Sequence, residues 1–355
     1  MTDGVGDCTG LLVDRVRQAY EERQPLAIAG SGSKGFLGRE CEGQPLSVAD
    51  HAGVVAYEPT ELVLTARAGT TLRQIDAVLR ESRQVLGSDP PTFGGRATIG
   101  GTLAANLSGP ARPWSGSLRD HVLGVRLING RGEHLGFGGR VMKNVAGYDV
   151  SRLMAGSYGV LGVMTEVTVR VHARAEQTTT RSRALDAGEA LAAMTRLAAV
   201  HRPLAGLAWD GHRLYVRFAG NAPAVGAAAR EFGGETAADE SFWTSLREQT
   251  HGFFSGTAPL WRFSVPPAAE PALPEAEWLF DWGGAERWLR GDYEFARLED
   301  LARKMGGHVS LFRGGDRTRD VQQTLDAVQQ RIHRALKASF DPAGILNPGR
   351  LYSWL

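Results

Sequence analysis

The first half of the chain alternates short apolar runs with longer polar or glycine-rich stretches. An amphipathic helix opens it, because five apolar side chains fall on one stripe at helical spacing: Leu12, Val13, Val16, Ala19 and Tyr20. The apolar run 25–29 predicts a strand that ends at Gly30. Residues 54–57 and 62–68 predict two further strands. Residues 71–81 predict a second helix with an inward apolar stripe of Leu72, Ile75, Val78 and Leu79.

A hairpin and a long strand follow further along. Residues 122–128 and 133–137 predict a hairpin that turns at Asn129-Gly130, because this dipeptide favours tight hairpin turns. Residues 160–171 are rich in β-branched side chains, which favour a strand. We therefore expect a sheet to complete this half of the chain.

From about Arg174 the sequence becomes charged and alanine-rich. The predicted helices are 186–200, 222–232 and 294–305, and the predicted strands are 205–209, 213–219, 259–265 and 307–312. A Pro-rich surface loop is predicted over 266–274 and a final helix over 320–339. These patterns predict an α+β protein with domains over 1–175 and 176–319, and a C-terminal helix and tail over 320–355.

Charge and composition exclude several classes of function. The 40 Lys and Arg residues nearly balance the 39 Asp and Glu residues, so we expect neither nucleic acid nor an anionic membrane as a partner. No run approaches the roughly 18 apolar residues of a membrane span, and no signal peptide is evident, so a cytoplasmic location is expected. Two cysteines, Cys8 and Cys41, are too few to ligate an iron–sulfur cluster. Electron chemistry would therefore need an organic cofactor.

Glycines cluster in two places, with five in residues 30–43 and 17 in residues 87–162. The first cluster, GSGSKG at 30–35, has the G-x-G-x-x-G spacing of a Rossmann turn. That turn must open a helix, and two more glycines and a proline in the next ten residues prevent one here. The segment can still bind a pyrophosphate through exposed backbone N–H groups, or it is an ordinary surface turn.

The second cluster is densest over residues 87–124. Two glycine pairs, two runs of small residues and Asn106 lie within these 38 residues. Because glycine is costly to order, such a segment indicates backbone that wraps closely around an extended ligand. A set of tight turns in an α+β domain is the alternative.

Lysine is rare in this chain. Only four of the 40 basic residues are lysines, and two of the four, Lys34 and Lys143, lie in glycine-rich segments. A compact ammonium fits beside a phosphate or a flavin carbonyl where a planar guanidinium does not. Both lysines are therefore candidate functional residues, with chance placement as the alternative.

In this order the motifs resemble the FAD-binding domain of the vanillyl-alcohol oxidase and p-cresol methylhydroxylase family. The resemblance covers about residues 5–175 and 335–355, and its segments are PLAIAGSGSKG, ATIGGTLAANLSG, SLRDHVLGVRLINGRGE, VMKNVAGYDVSRLMAGSYGVLGVMTEVTVRV and FDPAGILNPGR. Within that family, KNVAGYDVSRLMAGSYGVLG and LFRGGDR most resemble the FAD-binding subunits of glycolate oxidases. The resemblance implies a two-subdomain FAD-binding domain, a smaller α+β cap domain, and a tail that returns to the FAD site.

The resemblance also implies which residues contact FAD. The first loop would give N–H groups to the pyrophosphate, the two middle segments would line the flavin and the adenosine portion, and the tail would approach the isoalloxazine ring. The residues implied are Gly30, Ser31, Gly32, Ser33, Lys34, Asp89, Pro90, Pro91, Thr98, Ile99, Gly100, Gly101, Ala105, Asn106, Ser117, Asp120, Gly159, Val163 and Asn347.

The sequence departs from some relatives in two ways. Lys34 and Ser108 lie where other members attach flavin through a His or a Cys, so we expect noncovalent FAD. The H-x-G-D-G-N-x-H type of motif that accompanies a metal in related D-2-hydroxyacid dehydrogenases is missing, so no metal is expected. Lys143 and Arg313 remain the candidate catalytic residues. Arg313 and Arg317 could bind a substrate carboxylate, or could form salt bridges within the second domain.

Two functions from different classes follow from the resemblance. In the first, the chain is an FAD-dependent oxidoreductase component that oxidises glycolate or another small 2-hydroxy acid and passes electrons to an iron–sulfur partner subunit. In the second, it is a non-catalytic subunit whose FAD is structural or relays electrons beside a catalytic companion flavoprotein. A contact with the inner membrane would come only through partner subunits. An NAD-dependent Rossmann enzyme is a third hypothesis.

Overall fold

The computed structural model describes residues 6–139, 148–236, 240–271 and 273–355. In chain order its first elements are α1 (Thr9–Glu22), β1 (Leu26–Ala29), β2 (Gln44–Ser47), β3 (Val54–Glu58), β4 (Val63–Arg67), α2 (Leu72–Glu81), β5 (Gln84–Val85), α3 (Ile99–Ala105), α4 (Arg112–Ser115), α5 (Leu118–His121), β6 (Val122–Ile128), β7 (His134–Gly138), α6 (Val150–Leu153), β8 (Val163–Arg170) and β9 (His172–Ala173).

The remaining elements are β10 (Gln177–Ala184), α7 (Ala187–Ala198), β11 (Leu204–Trp209), β12 (Arg213–Gly220), α8 (Ala222–Phe232), β13 (Glu235–Thr236), α9 (Ser241–Glu248), β14 (Leu260–Ser264), β15 (Trp278–Asp281), β16 (Glu286–Arg290), α10 (Phe295–Lys304), β17 (His308–Arg313) and α11 (Ala327–Phe340). Helices and antiparallel strands are both abundant, which confirms the α+β class.

The chain divides into two units. Unit 1 comprises the residues up to Leu107 together with Ser117–Ala173 and Arg317–Leu355, and unit 2 comprises Ser108–Gly116 and Arg174–Asp316. Residues 108–116 thus group with unit 2, although the chain on both sides of them belongs to unit 1.

Unit 1 is built on a five-stranded antiparallel sheet in the order β3-β4-β8-β6-β7. The long strand β8 lies at its centre and is buried along most of its length. The hairpin predicted at Asn129 is confirmed, and the Asn129 carboxamide oxygen accepts from the backbone N–H groups of Arg131 and Glu133. The predicted apolar stripe of α1 packs into the core of this unit, with Val16 fully buried.

A separate parallel pair, β1 with β2, carries the first glycine cluster. Residues 31–43 form turns and no helix, which confirms that the G-x-G-x-x-G spacing is not a Rossmann turn. The C-terminal tail runs alongside β1. Its Ile345 carbonyl accepts from Leu26 N–H at 2.7 Å, and its Asn347 N–H donates to the Leu26 carbonyl at 3.0 Å.

Unit 2 contains an eight-stranded antiparallel sheet in the order β13-β10-β12-β11-β15-β16-β14-β17. The helices and strands predicted over 186–312 are present within two residues of their expected bounds, but the sequence reasoning missed β10, β13, β15, β16 and α9. The predicted start of the final helix at residue 320 is wrong. Helix α11 begins at Ala327, because Asp326 caps it by accepting from Gln329 N–H.

Candidate functional site

A cleft in unit 1 lies beside the first loop, residues 30–35, which follows β1. It consists of two overlapping hollows, and the residues that line both come from four separate parts of the chain. The residues of the implied FAD site that line it are Gly30, Ser31, Gly32, Ser33, Lys34, Thr98, Gly100, Gly101, Ala105, Gly159 and Asn347. The fold therefore brings the first loop, α3, the turn before β8 and the tail to one place.

The first loop carries unpaired backbone donors. Within the described part of the chain, none of the N–H groups from Ser31 to Lys34 donates to a protein acceptor. Gly32 has a left-handed φ of +72°, and a Cβ there would meet no atom within 4 Å. A run of free N–H groups on an open loop is the arrangement that binds anions.

Lys34 adds a cation to these donors. Its side chain is largely buried, and its ammonium lies 5.7 Å from the centre of the Phe93 ring. Among the described residues, no carboxylate or carbonyl accepts a hydrogen bond from it. Burial lowers the pKa of Lys34 to about 8. Because an unpaired buried charge is costly, this position fits an anionic ligand.

Helix α3 forms another wall of the cleft, and glycines let it approach its neighbours. Its N-cap, Thr98, accepts from the Gly101 N–H at 3.2 Å. A Cβ on Gly30 would lie 2.6 Å from the Thr98 hydroxyl oxygen, and a Cβ on Gly100 would lie 2.6 Å from the Cβ of Ala68. Larger residues at these two positions would push apart the loop, the helix and β4.

Asn347 and Tyr158 close the far side of the cleft. Asn347 is 5% exposed and has a φ of +42°. Its side-chain oxygen accepts from Ile28 N–H at 2.6 Å, and its side-chain nitrogen donates to the Tyr158 carbonyl at 2.7 Å. Asn347 therefore links the tail to β1 and to the turn before β8.

Sequence reasoning missed Tyr158 and Arg350, both of which line the cleft. Tyr158 has a φ of +52°, an uncommon conformation for a bulky residue. Arg350 donates to the carbonyls of Gly35 and Arg39, while Arg39 donates to the Gly349 carbonyl. No local pattern marks these residues, since the hydrogen-bond partner of Tyr158 lies 189 positions away in the chain and those of Arg350 lie 311 and 315 positions away.

A buried ion pair holds the tail in place. Lys337 on α11 donates to Asp341 Oδ2 at 2.7 Å, to the Leu346 carbonyl at 2.7 Å and to the Val160 carbonyl at 2.9 Å. Asp341 in turn accepts from the backbone N–H groups of Ile345 and Leu346. Every polar group in this cluster has a partner, so it fixes the path of the tail.

The other residues of the implied FAD site do not line the cleft. Pro90, Pro91, Ile99 and Val163 are buried. Asp89 has a φ of +45°, Asn106 ends α3 with a φ of +49°, and Ser117 and Asp120 form the capping box of α5. Their implied contacts with FAD stay predictions.

Of the two candidate catalytic residues, only Arg313 is described, and it does not line the cleft. Lys143 lies outside the described residues. Arg313 ends β17 in unit 2, where its guanidinium donates to the Gln249 side chain, and burial lowers its pKa. The described residues contain no group of three His, Cys, Asp or Glu side chains that could hold a metal ion. No helix of the described ranges is long and apolar enough to span a bilayer.

The geometry suits an extended ligand with a negatively charged centre. Free N–H groups and the Lys34 ammonium supply the positive end, and the apolar side chains of Ile28, Leu37 and Ala104 line the remaining wall. The titratable side chains that the described residues contribute to the wall are Lys34, Arg350 and Tyr158. FAD, with its diphosphate and its flat apolar ring, fits this set of residues.

The chain matches two family models. One describes an FAD binding domain and matches residues 9–138, and the other describes the C-terminal domain of FAD linked oxidases and matches residues 283–351. Glycolate oxidase subunit GlcE of Escherichia coli is 46% identical over 98% of this chain and 99% of its own length. Glycolate oxidase subunit GlcD of Bacillus subtilis is 34% identical over 42% of this chain and 32% of its own length.

Among solved structures, p-cresol methylhydroxylase with substrate bound superposes with a TM-score of 0.77 at 13% identity, over 97% of this chain and 88% of that one. At this level of identity the similarity concerns the fold, and it confirms the fold expected from the sequence motifs.

Proposed function

The chain belongs to the family of FAD-linked oxidase subunits represented by GlcE, and on this premise we propose that it binds FAD in the unit 1 cleft as part of a glycolate oxidase. It is an FAD-binding oxidoreductase component. The observation that carries the proposal is the combination of four free backbone N–H groups with an ammonium that lacks an anionic partner among the described residues.

Each wall of the cleft would contribute differently to holding FAD. The N–H groups of 31–34 would bind the diphosphate, and the small residues of α3 would let the cofactor approach the backbone. Asn347 would keep the tail against the flavin end. Bound flavin accepts a hydride equivalent from an alcohol carbon, and the protein supplies position and electrostatics.

Attachment of FAD is proposed to be noncovalent. Among the described residues, those that line the cleft include neither a histidine nor a cysteine. Precipitation with acid should therefore release all flavin into the supernatant. Flavin that stays in the pellet would contradict this part of the proposal.

The second candidate is a subunit that carries FAD but leaves substrate oxidation to a companion flavoprotein. Among the described residues, the titratable groups that line the cleft are two cations and a phenol, which suit binding an anion better than removing a proton from a substrate. A companion subunit related to GlcD and an iron–sulfur subunit are proposed partners, and glycolate or another small 2-hydroxy acid is the proposed substrate. A cytoplasmic location stays a prediction.

Anaerobic titration separates the two candidates. The isolated, FAD-loaded chain is mixed with glycolate or D-lactate, and the oxidised flavin band is followed. Bleaching within the turnover time of the assembled complex would show that this chain itself oxidises the substrate. An unchanged spectrum, followed by bleaching once the companion subunit is added, would favour the relay role. Purification without any bound or bindable FAD would refute both.

A further inference from the structure

Two cationic side chains line the cleft within the described part of the chain, and their surroundings differ. The Arg350 guanidinium donates to the carbonyls of Gly35 and Arg39, so it has protein acceptors. The Lys34 ammonium has none among the described residues, although it too is largely enclosed by protein. A Cβ on Gly101 would lie 3.9 Å from Lys34 Nζ, which places this nitrogen at the wall formed by α3.

We propose that Lys34 is the charge partner of the diphosphate of the bound cofactor, and that binding at alkaline pH takes up a proton at its Nζ. The inference rests on the proposed function, because it requires that FAD occupy the cleft. It adds a residue-specific role that the free backbone donors alone do not explain.

Position on the loop favours the diphosphate over the flavin ring as the group that Lys34 contacts. Lys34 is the last of the four consecutive residues whose N–H groups are free, so its own backbone donor belongs to the same cluster. Successive N–H groups of this kind converge on one anion. An ammonium in the same cluster strengthens the hydrogen bonds to the anion and completes its neutralisation.

Among the described residues, no neighbour of Lys34 gives it a negative charge. The titratable or charged groups that face it are Tyr158 and Arg350 in the cleft wall, and Arg96, which donates to the Ser31 carbonyl. Phe93 and Gly101 complete the surroundings from the second glycine cluster.

The direction of the proton transfer follows from this environment. In the cofactor-free protein, burial holds the pKa of Lys34 at about 8, so the side chain is largely neutral at pH 9. A nearby dianion favours the charged form and raises that pKa. Below pH 7 the ammonium is already charged and binding should move no proton. At pH 9, binding should take up about one proton.

The test is FAD titration of the apoprotein at pH 7 and pH 9, followed by flavin fluorescence, with calorimetry in two buffers to count protons. Wild-type affinity should fall about tenfold between the two pH values. Lys34→Met should bind at least about tenfold more weakly at pH 7 and show no such pH dependence. The arginine of Lys34→Arg stays charged at both pH values. The FAD affinity of this variant should therefore be the same at pH 7 and pH 9, even if it differs from that of wild type.

Two controls keep the outcome specific. Lys304→Met removes an exposed lysine of unit 2 and should behave as wild type. ADP carries a diphosphate without a flavin, and its affinity can be measured by competition with FAD. Lys34→Met should lower the affinity for ADP by a factor similar to the loss of FAD affinity. Loss of FAD affinity with unchanged ADP competition, or no competition by ADP, would overturn the diphosphate assignment.

A wild-type affinity that is equal at both pH values, with no proton uptake, would overturn the inference and leave FAD binding intact. If the wild-type apoprotein does not bind FAD at either pH, the proposed function fails as well. These two outcomes are therefore distinguishable in a single set of titrations.

Discussion

The first loop and α11, the helix that leads into the C-terminal tail, each bury a lysine, but the two ammonium groups have opposite surroundings. Lys337 in the segment leading to the tail donates to one carboxylate and two carbonyls. Lys34 in the loop makes no such bond within the described residues. Burial lowers the pKa of both, and Asp341 counteracts the effect only at Lys337. A buried charge with all its partners present stabilises the fold, whereas a buried charge without them indicates a ligand.

The largest expected effect is at the tail. Lys337→Met leaves the Asp341 carboxylate buried without its counter-ion, which should lower the free energy of unfolding by about 3–5 kcal/mol. Chemical denaturation of the apoprotein measures it, with Lys304→Met as the control for loss of a positive charge. A stability close to that of wild type would mean that the ion pair does not anchor the tail.

The next effect concerns the cleft wall. Gly101→Val places a branched side chain between Thr98 and the Lys34 ammonium, where a Cβ already lies 3.1 Å from the Thr98 hydroxyl oxygen. Overpacking of this kind costs about 2–3 kcal/mol of binding, or roughly 100-fold in FAD affinity. Gly136→Val is the matched control, because a Cβ at Gly136 meets no atom within 4 Å. Full flavin content in the Gly101 variant would contradict the assignment of this wall.

Asn347 connects the two regions and allows a finer comparison. Asn347→Gly keeps the left-handed backbone but removes both side-chain hydrogen bonds, so stability should fall by about 2 kcal/mol. Asn347→Asp keeps the acceptor for Ile28 N–H and loses the donor to the Tyr158 carbonyl. The melting temperature measured by thermal denaturation should therefore be higher for wild type than for Asn347→Asp. Equal stabilities of all three proteins would show that the link is dispensable.

The smallest effect is a pH dependence of the cofactor-free protein. The folded-state pKa of Lys34, about 8, lies below its ordinary value, so the folded state releases this proton before the unfolded chain does. The contribution of the Lys34 side chain to the free energy of unfolding should consequently increase by about 1 kcal/mol from pH 7 to pH 9. The measurement is the difference between wild type and Lys34→Met at each pH. A difference that stays constant across this range would contradict the lowered pKa.

Local patterns predicted much of this architecture. The stripe of α1 and the hairpin at Asn129 follow from residue spacing and turn chemistry, which depend only on neighbours in the chain. Helix α3 was missed because two adjacent glycines argue against a helix. Close contact with Ala68 explains the glycine at position 100, and only the folded chain shows that contact.

The sequence predicted only part of the cleft, again because some of its contacts appear only in the folded chain. The two glycine clusters indicated a cofactor loop, and the family resemblance supplied Asn347. Neither indicated Tyr158 or Arg350, because these residues act through partners distant in sequence. Lys337 and Asp341 are only four residues apart, but their burial and the contact of Lys337 with the Val160 carbonyl appear only in the folded chain. Strand β10 was missed because its sequence, QTTTRSRA, is polar and its burial comes from pairing with β12.

The pairing of the tail with β1 has a consequence for the order in which the protein is made. The Ile28 N–H finds its acceptor on Asn347, a residue 319 positions later. The first loop, although synthesised early, therefore cannot have its final wall until residue 347 has left the ribosome. Cofactor capture should accordingly follow the synthesis of this residue, and nascent chains that stop before residue 347 should retain no flavin.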